Sequence, residues 1–233
     1  MNIQGLKKLN LPDKPGVYFF MGKGGKVLYI GKATSIRDRV RSYFSRDLTA
    51  ARGIHIENMV AEAKTVRAET TDSVLEALVL ESALIKKYQP RYNTDEKDDK
   101  SFNHIVITKE DFPRVFVVRG RDLESRLSTF NFRLSTIFGP FPKGGELREA
   151  MKIIRKIFPF RDKCVPGAGK PCFNRQIGLC PGVCSGEVSK KEYGRQIRNL
   201  KLFLSGKKKT LVKNLEREMK SAAKTLRFEE ADR

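Results

Sequence analysis

Apolar residues recur along this chain at two different periods, and the changes of period mark its elements. Val17–Phe20 and Val27–Ile30 are short apolar or aromatic runs separated by MGKGGK, a Gly-rich turn that predicts a β-hairpin. Thr34 or Ser35 then stands where it can cap a helix running to about Phe44, with Ile36, Val40 and Phe44 at helical spacing. A second helix is expected over Ile54–Ala63 and a third over Ser73–Tyr88, which Pro90 stops. Past the polar link TDEKDDKS, Ile105–Ile107 and Val115–Val118 predict strands, followed by an irregular stretch. Glu146–Phe158 predicts a helix whose Leu147, Met151, Ile154 and Phe158 form one core-facing stripe. Segment 164–184 is rich in Cys, Pro and Gly and too poor in apolar residues to fold by burial alone. The last 45 residues read as two basic helices split by SGKKK, and no internal repeat is evident.

Composition adds a partner class to this picture. The 233 residues are 39% hydrophobic, enough for a real core, and no run approaches the roughly 18 apolar residues of a membrane span. MNIQGLKKLNLPDKPG lacks the apolar segment of a signal peptide, so a cytoplasmic location without membrane contact is expected. Lys and Arg number 47 against 27 Asp and Glu, a formal charge of +20. Residues 1–93 carry 16 basic and 9 acidic side chains and 186–233 carry 14 and 7, so the excess is spread along the chain. Such an excess favours a polyanion, because each neutralised phosphate releases counterions. It does not separate binding from cutting.

Chemistry enters at Gly16-Val17-Tyr18 and, after ten intervening residues, Tyr29-Ile30-Gly31. Strand alternation puts Tyr29 on one face beside the Gly31 turn, where a phosphate has room to approach. Lys32 is three residues on, close enough for its charge to lower a phenol pKa. Arg39 and Tyr43 are four apart on one helix and share a face, and the arginine fork suits a phosphate in a pentavalent transition state. The third helix offers two carboxylates. Ser73-x-x-Glu76 matches a capping box, so Glu76 has a structural reason to be there. Glu81 has none: Ala77, Leu78, Leu84 and Ile85 surround it, and a carboxylate on an apolar face is costly unless paired or bound to a metal.

This array, with GKA after the second tyrosine and LIKKYQPRYN ending at Asn93, resembles the GIY-YIG nuclease domain of the UvrC family. The resemblance extends over residues 11–233, although 120–138 is longer and less charged than the family leads one to expect. It implies an α+β fold: a small GIY-YIG domain with a central antiparallel sheet and flanking helices, a mixed middle region with a Cys-rich metal-binding segment, and C-terminal helices. The expected domains are 11–94 for the endonuclease, 95–160 for a small α/β linker region, 161–189 for the four-cysteine segment and 190–233 for the basic helices. The family also places its metal-binding glutamate twelve residues before the asparagine, which selects Glu81. By resemblance, Glu81 holds one Mg²⁺ or Mn²⁺, and Tyr29, helped by Lys32, is the general base. Arg39 stabilises developing charge, Tyr18 and Tyr43 position water and phosphate, and Asn93 braces the site.

Cys164, Cys172, Cys180 and Cys184 are the only cysteines, spaced C-x7-C-x7-C-x3-C. A cytoplasmic compartment disfavours disulfides, and four thiolates in a Gly/Pro-rich loop fit tetrahedral Zn²⁺ or a cubane iron–sulfur cluster. The resemblance implies a [4Fe–4S] cluster, with zinc as the alternative, in a mainly structural role. The tail LEREMKSAAKTLRFEEADR reads on its own as an amphipathic helix and resembles the start of the UVR motif through which UvrC meets UvrB. It stops where a helical hairpin would turn, so a chain cut short is expected. The implied activity is the 3′ incision beside a lesion in damaged double-stranded DNA, within nucleotide excision repair. The alternatives are a Cho-like short excision nuclease and a non-catalytic DNA-binding or scaffold module.

Overall fold

The computed structural model describes residues 9–45, 48–94, 102–123 and 135–224, apart from the side chains of 48–52 and 94. The described residues divide into two compact units, one built on the N-terminal sheet and one on the cysteine segment and the helices after it.

The first unit is organised by strand β1 (Gly16–Met21), the centre of a three-stranded antiparallel sheet of order β2-β1-β3. Its neighbours are β2 (Val27–Ala33), the hairpin partner, and β3 (Thr65–Thr70). A central strand is covered on both faces, which is why GVYFFM is apolar without alternation. Tyr18 and Phe20 join Leu28, Ile36, Val40, Tyr43, Met59 and Val66 in the larger core. Val17 and Phe19 pack with Ile30 and Ile85 on the other face. Strand β3 left little trace in the sequence, since of TVRAET only Val66 is buried.

The helices hold to their sequence signals with physical adjustments. Helix α1 (Ile36–Arg41) starts at Ser35, whose Oγ accepts from the Asp38 N–H at 3.2 Å, and passes into a 3-10 turn at Ser42–Phe44. Helix α2 (Leu48–Glu62) begins earlier than expected but is broken at Gly53, whose φ of 80° only glycine adopts cheaply. Helix α3 (Val74–Tyr88) is capped by Ser73, which accepts from the Glu76 N–H at 3.1 Å, while the Glu76 carboxylate accepts from Asp72 N at 3.3 Å. Pro90 then admits only the short helix α4 (Arg91–Thr94).

Further along, β4 (Asn103–Ile107), β5 (Val115–Arg119) and β6 (Thr136–Phe141) form a second sheet, order β5-β4-β6. Strand β6 falls in the stretch expected to be irregular; Gly139-Pro140 interrupts its apolar pattern. Most of 120–138, where the family resemblance is weakest, lies outside the described residues. Helix α5 (Gly144–Ile157) buries Leu147 and Ile154 of the predicted stripe together with Ala150, while Met151 is half-buried and Phe158 is buried just past the helix end. The cysteine segment carries the one-turn helix α6 (Phe173–Gln176). Helix α7 (Lys190–Leu204) opens with a full capping box of Ser189 and Glu192, and α8 (Lys208–Lys224) follows. Among the described residues no helix is long and apolar enough to cross a membrane.

Candidate active site and cysteine centre

Strand β2 lies at the edge of the first sheet, so its outward N–H and C=O groups need partners from elsewhere. Two side chains supply them. Asn93 accepts from the Ile30 N–H and donates to the Ile30 carbonyl, both at 2.8 Å, as a neighbouring strand would. Two residues on, at the next outward position, the Lys32 N–H donates to Glu81 Oε1 at 2.7 Å. The unsatisfied edge thereby orients the half-buried carboxylate. That role for the Lys32 backbone was invisible in the sequence, because it follows from sheet order.

Gly31 pairs with Tyr18 across β1 and β2. A Cβ at Gly31 would collide with Tyr18 Oη and lie 2.5 Å from Cζ, so the phenol lies across the glycine. Gly16 is equally constrained, since a Cβ there would strike the Glu69 carbonyl and come within 2.8 Å of Ile36 Cδ1. The two glycines of GVY and YIG serve close packing.

The sheet and α1 gather three tyrosines. Ring centroids of Tyr18, Tyr29 and Tyr43 lie 5.9–6.3 Å apart in every pairing. Tyr18 and Tyr43 are buried and share a 2.8 Å hydrogen bond; Tyr43 also bonds to Tyr29, which is half-buried. Burial pushes the phenols of Tyr18 and Tyr29 well above the ordinary value of 10.0. Tyr43 and Glu81 add to the rise at Tyr29, and the cation drawing it back is Arg39. Burial works against the Arg39 charge, but the three tyrosines outweigh it, with a hydrogen bond to Tyr18 among the causes. Its Cζ stands 5.8 Å from the Tyr43 centroid. Glu81, Arg39 and the three tyrosines are therefore neighbours, Asn93 and Lys32 act on the β2 backbone beside them, and a carboxylate placed there suits an oxygen-preferring divalent cation.

The cysteines converge as well. The sulfurs of Cys164, Cys172 and Cys184 lie within 4.8 Å of one another, and Cys180 is hydrogen-bonded to Cys164. The Cys172 N–H donates to Cys184 Sγ at 3.2 Å, and all four thiols are free of disulfides. Burial pushes the Cys164 thiol far up, and the other three sulfurs push it further. A thiolate at Cys164, crowded by three other sulfurs, is relieved by a bound cation, which makes this group a fitting metal site.

Residues 14–94 match the model of the UvrC-like GIY-YIG domain, and residues 102–203 match that of the UvrC/Cho excinuclease middle domain. The UvrABC system protein C of Desulforudis audaxviator is 40% identical over 228 residues, 97% of this chain and 35% of that protein. That of Clostridium kluyveri is 41% identical over 228 residues, 95% of this chain and 35% of that protein. The chain thus spans about a third of the length of the curated relatives it matches. Among solved structures, the GIY-YIG N-terminal endonuclease domain of UvrC from Thermotoga maritima, bound to its catalytic magnesium, is 37% identical. It is covered completely by 40% of this chain, with a TM-score of 0.35.

Proposed function

The chain belongs to the UvrC family, and from that premise we propose that it is a DNA repair endonuclease of the UvrABC system, cutting one strand on the 3′ side of a lesion. The observation that carries this reading is the Glu81 carboxylate, held by the Lys32 N–H at 2.7 Å beside three linked tyrosines and Arg39. A divalent ion at Glu81, Mg²⁺ or Mn²⁺, supplies Lewis-acid polarisation of a phosphate oxygen. Tyr29, the most exposed of the three phenols, acts as a phenolate favoured by the Arg39 charge. It takes a proton from the attacking water and becomes the phenol, the water oxygen bonds to phosphorus, and the leaving oxygen departs with the pair of the broken bond and is protonated from solvent. The Tyr43 hydroxyl, bonded to Tyr29, donates to that phenolate before the proton is taken. Arg39 meets the charge developing on the non-bridging oxygens. Tyr18 fixes Tyr43, Lys32 adds positive charge near the phosphate, and Asn93 keeps β2 in place.

The domain division we assign is the endonuclease at 11–94, a linker region at 95–160, a cysteine centre at 161–189 and helices at 190–233. The centre takes a [4Fe–4S] cluster through Cys164, Cys172, Cys180 and Cys184; colourless protein with bound zinc would assign Zn²⁺ instead. Damaged duplex DNA is the substrate, the +20 charge favouring a polyanion. UvrB is the partner proposed for α8, where Val212, Leu215 and Met219 are exposed along one side and only Leu211 and Ala222 are buried. Residues 225–233, the rest of the UVR-like tail, lie outside the described residues. The proposed location is the cytoplasm. A Cho-like nuclease shares the middle-domain type, and the exposed α8 stripe favours UvrC over it.

Strand-break mapping on a UvrB–damaged-DNA complex with Mg²⁺ tests the reading. A single nick 3′ to the lesion, lost in Glu81→Gln and Arg39→Ala with folding unchanged, is expected. Undiminished cutting by Glu81→Gln would mean the wrong carboxylate. No cutting of either this complex or free DNA with Mn²⁺ would leave a DNA-binding scaffold.

A further inference from the structure

The cysteine segment has few apolar side chains, yet polar contacts at the Cys164 carbonyl, at the Asn174 side chain near Cys172 and at the Leu179 carbonyl before Cys180 converge on two arginines. Arg161 is 5% exposed, and its Nε donates to the Cys164 carbonyl at 2.7 Å. The rest of its fork donates to the Phe112 carbonyl at 2.6 Å and to Glu110 Oε2 at 3.2 Å. Its own N–H donates to Tyr193 Oη at 2.9 Å, and that hydroxyl donates to the Pro113 carbonyl at 2.6 Å. Arg155, on α5, donates from Nε to the carbonyl of Leu179, the residue before Cys180, at 2.9 Å. It also bonds to the Phe160 carbonyl at 3.0 Å and to Asp162 Oδ2 at 2.9 Å. Asp162 accepts in turn from Asn174, two residues past Cys172, at 3.1 Å.

We infer that Arg155 and Arg161 are positioning residues of the cysteine centre, holding the cysteine backbone in place so that a thiolate-bound metal or cluster is retained. The inference rests on the metal reading of the four cysteines proposed above. Guanidinium groups withdrawn from water are costly unless several acceptors meet them, and here the buried fork of Arg161 and the half-buried fork of Arg155 are both filled by carbonyls and carboxylates. Each guanidinium is already paired with a carboxylate, Arg155 with Asp162 and Arg161 with Glu110, so what it gives the centre is position more than charge. Groups behind the ligands commonly set metal affinity by 10–100-fold. Lysine keeps the charge but cannot reach several carbonyls at once, so it separates the two contributions.

The experiment uses the full chain as wild type, Arg155→Met, Arg155→Lys and Arg161→Lys, purified with its metal. Metal release to a chelator is timed well below the melting temperature, and melting is compared for loaded and stripped protein. Release about 10–100-fold faster in Arg155→Met is expected, with intermediate rates for the lysine variants and a smaller melting difference between loaded and stripped forms. Unchanged release, with loaded and stripped forms destabilised equally, would reduce both arginines to ordinary structural residues and overturn the inference. Wild-type protein holding no metal, or metal unaffected by Cys164→Ser with Cys172→Ser, would overturn the cysteine centre itself.

Discussion

The N-terminal sheet unit and the cysteine segment reach order by opposite routes. The first buries an apolar strand on both faces and then places chemistry inside that core: Tyr18 and Tyr43 belong to the same packed cluster as Leu28, Ile36 and Val40. The cysteine segment has no such core and leaves Val165, Phe173 and Ile177 exposed, at 67%, 70% and 49%. It is ordered by hydrogen bonds to arginine, by an aspartate–asparagine contact and by converging sulfurs. Burial tolerates small errors because many weak contacts share the load. A loop held by a few polar groups and one metal depends on each of them.

The comparison breaks most visibly at the sulfurs. Replacing any two cysteines with serine is expected to remove the bound metal and to collapse the melting of the second unit, since metal affinity there is folding free energy. Calorimetry with metal analysis measures both, and unchanged metal content and melting would refute a metal-stapled segment. Next in size is Gly31→Ala, whose Cβ would meet the Tyr18 ring. A loss of about 1–3 kcal/mol in the first unit is expected by urea unfolding, in the range of overpacked cores. A loss under about 0.5 kcal/mol would mean that the tyrosine cluster repacks freely.

Asn93→Ala strips two hydrogen bonds from the Ile30 backbone. A cost of about 1–3 kcal/mol is expected, with lower cutting activity because β2 carries both Tyr29 and the N–H that orients Glu81. Asn93→Asp keeps one acceptor and should fall between. The smallest effect is on pH. Burial raises the Glu110 pKa, but the Thr108 hydrogen bond and the Arg161 charge outweigh it and the net shift is downward. A depressed carboxylate adds stability that is complete above the unfolded value near pH 4 and is lost as pH falls through the folded value. The second unit should therefore weaken below about pH 4, and Glu110→Gln should flatten that slope in acid melting curves. An unaltered slope would remove Glu110 from the account.

Much of the site was legible because its residues have chemical reasons that spacing exposes. Glu81 stood out as a charge among Ala77, Leu78, Leu84 and Ile85, and Arg39 with Tyr43 shared a helical face. The helix caps at Ser35 and Ser73 were readable for the same reason, being local. Strand β3 was not, because an edge strand with one buried side chain carries no strong alternation. Strand β6 was hidden by Gly139 and Pro140. The arginines at 155 and 161 looked like members of a general basic excess, since nothing in their neighbours along the chain points to backbone carbonyls 24 and 49 residues away.

The sequence by itself determined the periodic elements, the polyanion-favouring charge, the two groups of metal-capable residues and, by resemblance, the UvrC family. Those properties depend on residue type and on contacts within a few positions. Only the tertiary structure decided that β2 lies at a sheet edge, where the Lys32 N–H donates to Glu81 and Asn93 completes the edge. Only it showed why GVY and YIG need their glycines: one meets a carbonyl of β3, the other the ring of Tyr18. Hydrogen-bond partners and close approaches across strands depend on which segments fold together, and separation along the chain does not encode that.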